Sequence, residues 1–169
     1  MIKLIVAVDE RFGIGYKGGI LFRIKEERER FKQLTEGHFV IMSKKNYESL
    51  PGVLPNRTNV VIAPSKKYNP KDSSILVEND VERILAHYLT TGAQEKDLWV
   101  MGGTELYKKF LPYADEIHLT MVHMRAKYVD TYFPIEKTKE LEMTLASVET
   151  FYSEENGCDV SFLVYKKKH

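Results

Sequence analysis

A three-layer α/β fold is what this chain predicts, with a mostly parallel central sheet of about eight strands, an antiparallel C-terminal edge and four flanking helices. Three observations lead there. Continuous apolar runs alternate with helical patterns, as in parallel strands covered on both faces. Two late apolar runs flank Glu154-Glu155-Asn156-Gly157, a turn sequence that joins them as an antiparallel hairpin. The 169 residues, 43% hydrophobic and 29% charged, suffice for one core in a single domain over 1–169, without linker, repeat or low-complexity tract.

The first strand, over 3–8, is an apolar run that stops at Asp9-Glu10-Arg11. A helix over 25–34 follows Ile24 and carries Phe31 and Leu34 on its apolar stripe. A β-rich run over 39–42 breaks into Ser43-Lys44-Lys45-Asn46, and a short helix lies over 44–50. Pro51-Gly52 and Leu54-Pro55 form a rigid turn, and Arg57 stands alone before the strand over 59–63. A strand over 75–77 leads to a helix over 81–89, which Asn79 or Asp80 is placed to cap. The strand over 98–101 ends at Gly102-Gly103, where a helix over 104–111 opens. Strands over 116–122, 144–149 and 161–165 complete the sheet.

A net charge of +1 gives no case for nucleic-acid or membrane binding through bulk charge. No run approaches membrane-spanning length, and the apolar N-terminus is too short for a secretory leader. Cys158 is the single cysteine, which excludes an internal disulfide and a thiolate metal cluster. The Lys166-Lys167-Lys168 tail reads as a solubilising end. These features predict a monomer of the reducing cytoplasm with a small-molecule substrate, no metal, and no nucleic-acid or membrane partner.

Two local patterns bear on chemistry. Backbone N–H groups at the helix start after Ser43, beside Lys44 and Lys45, suit an anionic phosphate. An ordinary strand–helix–strand crossover with a solvated basic loop accounts for the same residues. Glu27 lies three residues after Ile24 and four before Phe31, so helical periodicity puts a carboxylate within the apolar stripe. A buried carboxylate is costly unless it is paired or hydrogen-bonded. The plainer alternative is a Glu27 at the margin of the stripe, paired with Arg30 or Arg23 in water.

The stretch GHFVIMSKKNYESLPGVLPNRTNV, over 37–60, closely resembles the dihydrofolate reductase family. The likeness continues in the family's order. LIVAVDERFGIGYKGGIL resembles its first strand and mobile substrate loop, and Val100-Met101-Gly102-Gly103 with Leu106-Tyr107 its cofactor Gly-Gly motif. Leu119-Thr120 resembles a late strand and Asp130-Thr131-Tyr132-Phe133-Pro134 its D-T-x-F-P segment, and the tail fits the last two strands.

The resemblance implies NADPH-dependent reduction of 7,8-dihydrofolate to 5,6,7,8-tetrahydrofolate, by hydride transfer to C6 with protonation at N5. It implies that Glu27 is the single active-site acid, accepting two hydrogen bonds from the aminopyrimidine edge, while a water delivers the N5 proton. Phe22 joins Glu27 among the catalytic positions. Ile5, Ala7 and Thr120 match positions around the pterin, and Phe31, Leu50 and Leu54 would sandwich the p-aminobenzoyl ring. Arg57 would pair with the α-carboxylate of the folate glutamate, where a planar fork fits best, and Arg28 and Lys32 are further candidates for the folate carboxylates. Ala7, Ile14, Ser43, Lys45, Asn46, Met101 and Tyr107 match cofactor positions. In the family the bond between Gly102 and Gly103 is cis, and the amides of Gly103, Thr104 and Glu105 would face the diphosphate. Lys44, Ser65 and Lys66 would surround the adenosine 2′-phosphate and favour NADPH over NADH.

Several residues depart from the family pattern. Ser43 and Asn46 replace the usual Gly and Thr, and Leu21-Phe22 replaces a Pro-Trp pair, losing an indole N–H. Arg28 stands where an apolar residue is common, and Pro64 and Val129 also differ. Two other readings stay open: a related NADPH-dependent pyrimidine reductase, and a catalytically weak or inert reductase-fold module for binding or structure. Glu27 with Arg57 weighs against the first, whose substrate carries a ribityl phosphate and no glutamate. Those two residues and Gly102-Gly103 together weigh against the second.

Overall fold

The computed structural model describes residues 1–65, 67–90 and 95–168. From the N-terminus come β1 (Ile2–Val8), β2 (Gly13–Tyr16), β3 (Gly19–Ile20), α1 (Lys25–Thr35), β4 (Phe39–Ser43), α2 (Lys44–Ser49) and β5 (Thr58–Ile62). There follow β6 (Leu76–Glu78), α3 (Val81–Thr90), β7 (Leu98–Val100), α4 (Thr104–Phe110), a 3₁₀ turn over Leu111–Tyr113, and β8 (Glu116–Val122). The chain ends through β9 (Thr131–Tyr132), α5 (Glu136–Glu140), β10 (Met143–Ser153) and β11 (Cys158–Lys167).

Eight strands form the main sheet in the order β10-β11-β8-β1-β7-β4-β5-β6. From β8 to β6 every neighbouring pair is parallel, and β11 runs antiparallel to both β8 and β10. The alternation along each strand divides the core. Ile2, Leu4, Val6 and Val8 of β1 pack with Ile41, Val100 and the apolar faces of α3 and α4. Ile5, Val40, Met42, Val61 and Trp99 take the other face, against Phe31 and Leu34 of α1 and Tyr47 of α2. This is the predicted three-layer arrangement, with the mostly parallel sheet and antiparallel C-terminal edge.

Several details refine the expectation. Asp80 rather than Asn79 caps α3, its Oδ1 accepting from Glu82 N at 2.9 Å. α4 stops at Phe110 because Pro112, which has no N–H, sits in the 3₁₀ turn that follows. Gly157 at φ 66° lets the hairpin turn, and its N–H donates to Ser153 O at 2.8 Å. Lys166 and Lys167 belong to β11, and Lys166 Nζ lies 3.4 Å from Glu116 Oε1, so the basic end is partly sheet rather than a free tail. A fifth helix, α5, and a second sheet of three strands, β3-β2-β9, add to the four helices and eight strands expected. The second sheet pins the segment after β1 against the segment before α5, over the C-terminal end of β1.

Candidate active site

The C-terminal ends of β1, β4 and β7 lie side by side in the parallel sheet, where α2 and α4 begin, while the start of β5, just after Arg57, lies at the other end of the sheet beside Phe39. In β1, Ile5 pairs in register with His118 of β8, and Ala7 with the buried Thr120. Tyr107, buried on α4, puts its hydroxyl 2.8 Å from both Ile5 O and Met101 O, so the O–H donor ties two neighbouring strands together. Burial raises the Tyr107 hydroxyl far above the usual phenol value, and the charge of Glu27 raises it further. Tyr107 thus stands between the charge of Glu27 and the main chain that leads into Gly102-Gly103.

Glu27 lies in the first turn of α1, half-buried, where Ile24 has already been drawn into the core. Burial pushes its carboxyl above the ordinary value, and Arg30 and then Arg28 pull it back down. The alternative of a solvated pair with Arg30 or Arg23 does not describe the geometry. Arg30 Nη2 lies 3.4 Å from His118 Nδ1, and its guanidinium lies 4.6 Å from the Phe162 ring centroid. Arg23 is exposed, and its carbonyl accepts from Asn156.

Phe31, Leu50 and Leu54 are partly buried and line one apolar wall with Ile5, Val40, Met42 and Trp99, so they are core and surface at once. Arg57 is held beside that wall. Its Nε donates to Pro55 O at 2.9 Å and its Nη1 to Thr35 Oγ1 at 3.1 Å, with the guanidinium 5.8 Å from the Phe31 ring centroid. Two residues missed in the sequence build this corner. Thr35, fully buried, turns its own hydroxyl hydrogen to Phe31 O at 2.7 Å and so presents a lone pair to Arg57. Asn59 accepts from Leu54 N and donates to Leu54 O and Arg57 O, which fixes the turn on which Leu54 and Arg57 stand. A polar residue inside an apolar strand was the available signal for Asn59.

On the cofactor side, α2 and the Gly-Gly turn are zipped together. Ser43 N donates to Gly102 O at 3.0 Å, Asn46 Nδ2 donates to Met101 O at 3.2 Å, and Ser43 Oγ caps α2 by accepting from Asn46 N. The two departures Ser43 and Asn46 therefore still make the local bonds of the site. The Gly102-Gly103 peptide is cis. Gly102 sits at φ 102°, and a Cβ there would come within 2.8 Å of the Tyr107 ring, so only glycine fits. At Gly103 a Cβ would meet nothing within 4 Å, and no side chain caps the start of α4, so the backbone here is unobstructed. Thr104 Oγ1 donates to Tyr132 O, and Glu105 lies 3.7 Å from Lys108.

Lys44 is shared rather than free. Its Nζ lies 3.9 Å from Glu48 Oε1 and 4.8 Å from the ring centroid of Tyr68, whose hydroxyl also reaches Glu48. Tyr68 N donates to Ser65 O, which brings the Ser65 turn beside Lys44. Tyr68 is a third residue that sequence reasoning missed. Lys66, the other expected phosphate contact, lies outside the described residues. Lys45 packs its Cε against the turn at Gly18.

Not every candidate converges. Arg28 is exposed, and Lys32, 64% exposed in its side chain, reaches Glu36 at 3.9 Å instead. Phe22 packs beside Ile24, Val122 and Val160. Ile14 is a partly buried member of the main core on β2. A fourth missed residue governs that strand. The buried Asp9 carboxylate accepts from Arg11 N and Gly13 N through Oδ1 and from Ala126 N at 3.0 Å through Oδ2. In the sequence it is visible only as the charged end of a strand.

A family model described as dihydrofolate reductase matches residues 1–167. The dihydrofolate reductase of Staphylococcus haemolyticus is 31% identical over 167 residues, covering 98% of this chain and 95% of that protein. That of Bacillus subtilis (strain 168) is 31% identical over 171 residues, covering 100% of this chain and 96% of its own length. Among solved structures, dihydrofolate reductase from Enterococcus faecalis complexed with NADP(H) and RAB-propyl superposes with a TM-score of 0.87 at 25% identity. That match covers 100% of this chain and 97% of the other.

Proposed function

The chain belongs to the dihydrofolate reductase family, and from that premise we propose how its own residues carry the reaction. The enzyme reduces 7,8-dihydrofolate to 5,6,7,8-tetrahydrofolate with NADPH. Neither the pyrimidine reductase nor the inert module is favoured by the comparisons. The whole of 1–169 acts as one domain, a monomer of the cytoplasm without nucleic-acid partners. No helix among the described residues is long and apolar enough to cross a membrane.

The observation that carries the assignment of roles is the Tyr107 hydroxyl, which lies 2.8 Å from both Ile5 O and Met101 O and so ties the strand that lines the pterin to the Gly-Gly turn that holds the cofactor. Bound NADPH supplies the hydride that reduces C6 of the substrate. The open backbone at Gly103 and Thr104 holds its diphosphate, Ser43, Asn46 and Met101 its neighbouring groups, and Lys44 with Ser65 and Lys66 its 2′-phosphate. Ala7, Ile14 and Lys45 complete the cofactor wall. Glu27 accepts the two N–H donors of the aminopyrimidine edge and so fixes the pterin plane. Ile5, Ala7 and Thr120 line that ring. N5 takes its proton from a water, and Phe22 limits how much solvent reaches it. Phe31, Leu50 and Leu54 grip the p-aminobenzoyl ring, and Arg57 takes the α-carboxylate, with the exposed Arg28 and Lys32 in reach of the outer carboxylate. Substrate choice tests the reading: NADPH oxidation driven by dihydrofolate and not by a ribitylated aminopyrimidine is expected, and the reverse preference would overturn it.

A further inference from the structure

Behind Glu27, on the same face of the sheet, lies a line of charged groups that the reaction as described does not use. Arg30 follows Glu27 by three residues on α1, so the two side chains share a helix face. The Arg30 guanidinium is half-buried, seated over the Phe162 ring at 4.6 Å, with Nη2 3.4 Å from His118 Nδ1. A guanidinium has only donors, so His118 Nδ1 must be the acceptor. The imidazole proton is then on Nε2, which donates to Glu116 Oε2 at 3.2 Å. Glu116 is held in turn by Lys3 at 3.1 Å, and Lys3 by Asp97 at 2.9 Å. His118 is therefore fixed as a neutral acceptor, and burial keeps it so by lowering its basicity.

We propose that Arg30 is a positioning residue for Glu27: clamped between Phe162 and His118, it holds a fixed positive charge one helical turn behind the Glu27 carboxylate and steadies that carboxylate for the pterin. The proposal rests on the role of Glu27 given above. The groups that face Glu27 are Arg28 and Arg30 from its own helix and the Tyr107 hydroxyl from α4; those that face Arg30 are His118 from β8 and Glu149 from β10. Tyr107 is neutral and Arg28 is exposed, so solvent screens Arg28 where it does not screen Arg30. Of the charges around Glu27, Arg30 is the one the fold immobilises.

The test follows the Glu27 carboxyl directly, by carbon NMR of protein labelled at the glutamate carboxyl, alongside the pH profile of dihydrofolate reduction. Arg30→Met should raise the Glu27 titration midpoint by about half a pH unit or more, a threefold or greater gain in proton affinity. The midpoint of the rate profile should move the same way. Arg30→Lys should restore most of the shift, and Arg28→Met should move the midpoint less than Arg30→Met. His118→Phe, which keeps the ring contact with Trp99 but removes the acceptor, should shift it in the same direction by a smaller amount. An unmoved midpoint in folded Arg30→Met, or an equal shift in Arg28→Met, would overturn the proposal. Should Arg30→Met not fold, an unmoved midpoint in His118→Phe overturns it instead. Because the carboxyl titration needs no turnover, a failure of the functional reading would show as absent activity with the coupling still measurable.

Discussion

Arg57 shows how a single side chain is prepared before its ligand arrives. Pro55 O and Thr35 Oγ1 engage Nε and Nη1 and hold the guanidinium 5.8 Å from the Phe31 ring centroid. Arg57→Lys keeps the charge but loses the fork and both anchors. Folate affinity should fall by about 1.5–3 kcal/mol, as for a charge-assisted hydrogen bond, with NADPH affinity unchanged. Ligand titrations check this, and equal weakening of both would contradict the assignment. Lys44 is held differently, since Glu48 and Tyr68 already occupy it in solvent. Lys44→Ala should therefore reduce the preference for NADPH over NADH by only about 1 kcal/mol. It should flatten the salt dependence of NADPH binding and leave NADH affinity alone, by comparison of the two dinucleotides at two ionic strengths. Glu27 was legible in sequence because a carboxylate interrupted an apolar period. Asn59 left a weaker mark as a polar residue inside an apolar strand, and Thr35 and Asp9 left none, because each acts through main-chain groups or neighbours whose positions only the folded backbone sets.

The strands and helices of the main sheet carry strong periodic signals, and the sequence located all of them to within a few residues. The β3-β2-β9 sheet did not announce itself. Its strands are two to four residues long, and two of the three are half glycine, so alternation cannot register. α5 reads EKTKE, with no apolar stripe at all. What organises the second sheet is Asp9, whose carboxylate collects three backbone N–H groups from two segments. Val129 packs so closely on Gly13 that a Cβ there would lie 2.6 Å from its Cγ1, so the Val129 departure is part of the same fit. Asp9→Ala would leave those donors without an acceptor in a buried place. Unfolding in denaturant should show a loss of about 2–4 kcal/mol. Amide exchange should quicken over 10–20 before it does in β1. Unchanged exchange in that segment would contradict the anchoring role.

Across the whole molecule, the charge line beneath the site links stability to pH. Burial would raise Asp97 and Glu116, but Lys3, the N-terminal amine and His118 outweigh it and hold both carboxyls below their ordinary range. Their contribution is present above the unfolded carboxylate values, near 4, and is lost as pH falls through the lower folded ones. Burial holds His118 below its ordinary value, so its contribution begins to fall once pH drops below about 6.5. Burial opposes Lys3, but its two carboxylate partners raise it, so its contribution fades only as pH rises through its folded value above 10.5. The melting temperature should therefore decline in acid in two stages, and His118→Phe should remove the earlier one. A wild-type curve flat from neutral pH to the carboxylate range would contradict this. Glu27 and the Gly102-Gly103 turn are proposed to form one reductase site. Following NADPH absorbance with purified wild-type and Glu27→Gln protein near neutral pH tests it most directly. Absorbance loss is expected in the wild type only when dihydrofolate is added, with a rate reduced about 100-fold or more in Glu27→Gln and NADPH still bound. Near-wild-type turnover in Glu27→Gln, or no dihydrofolate-dependent loss in folded wild-type protein, would contradict it.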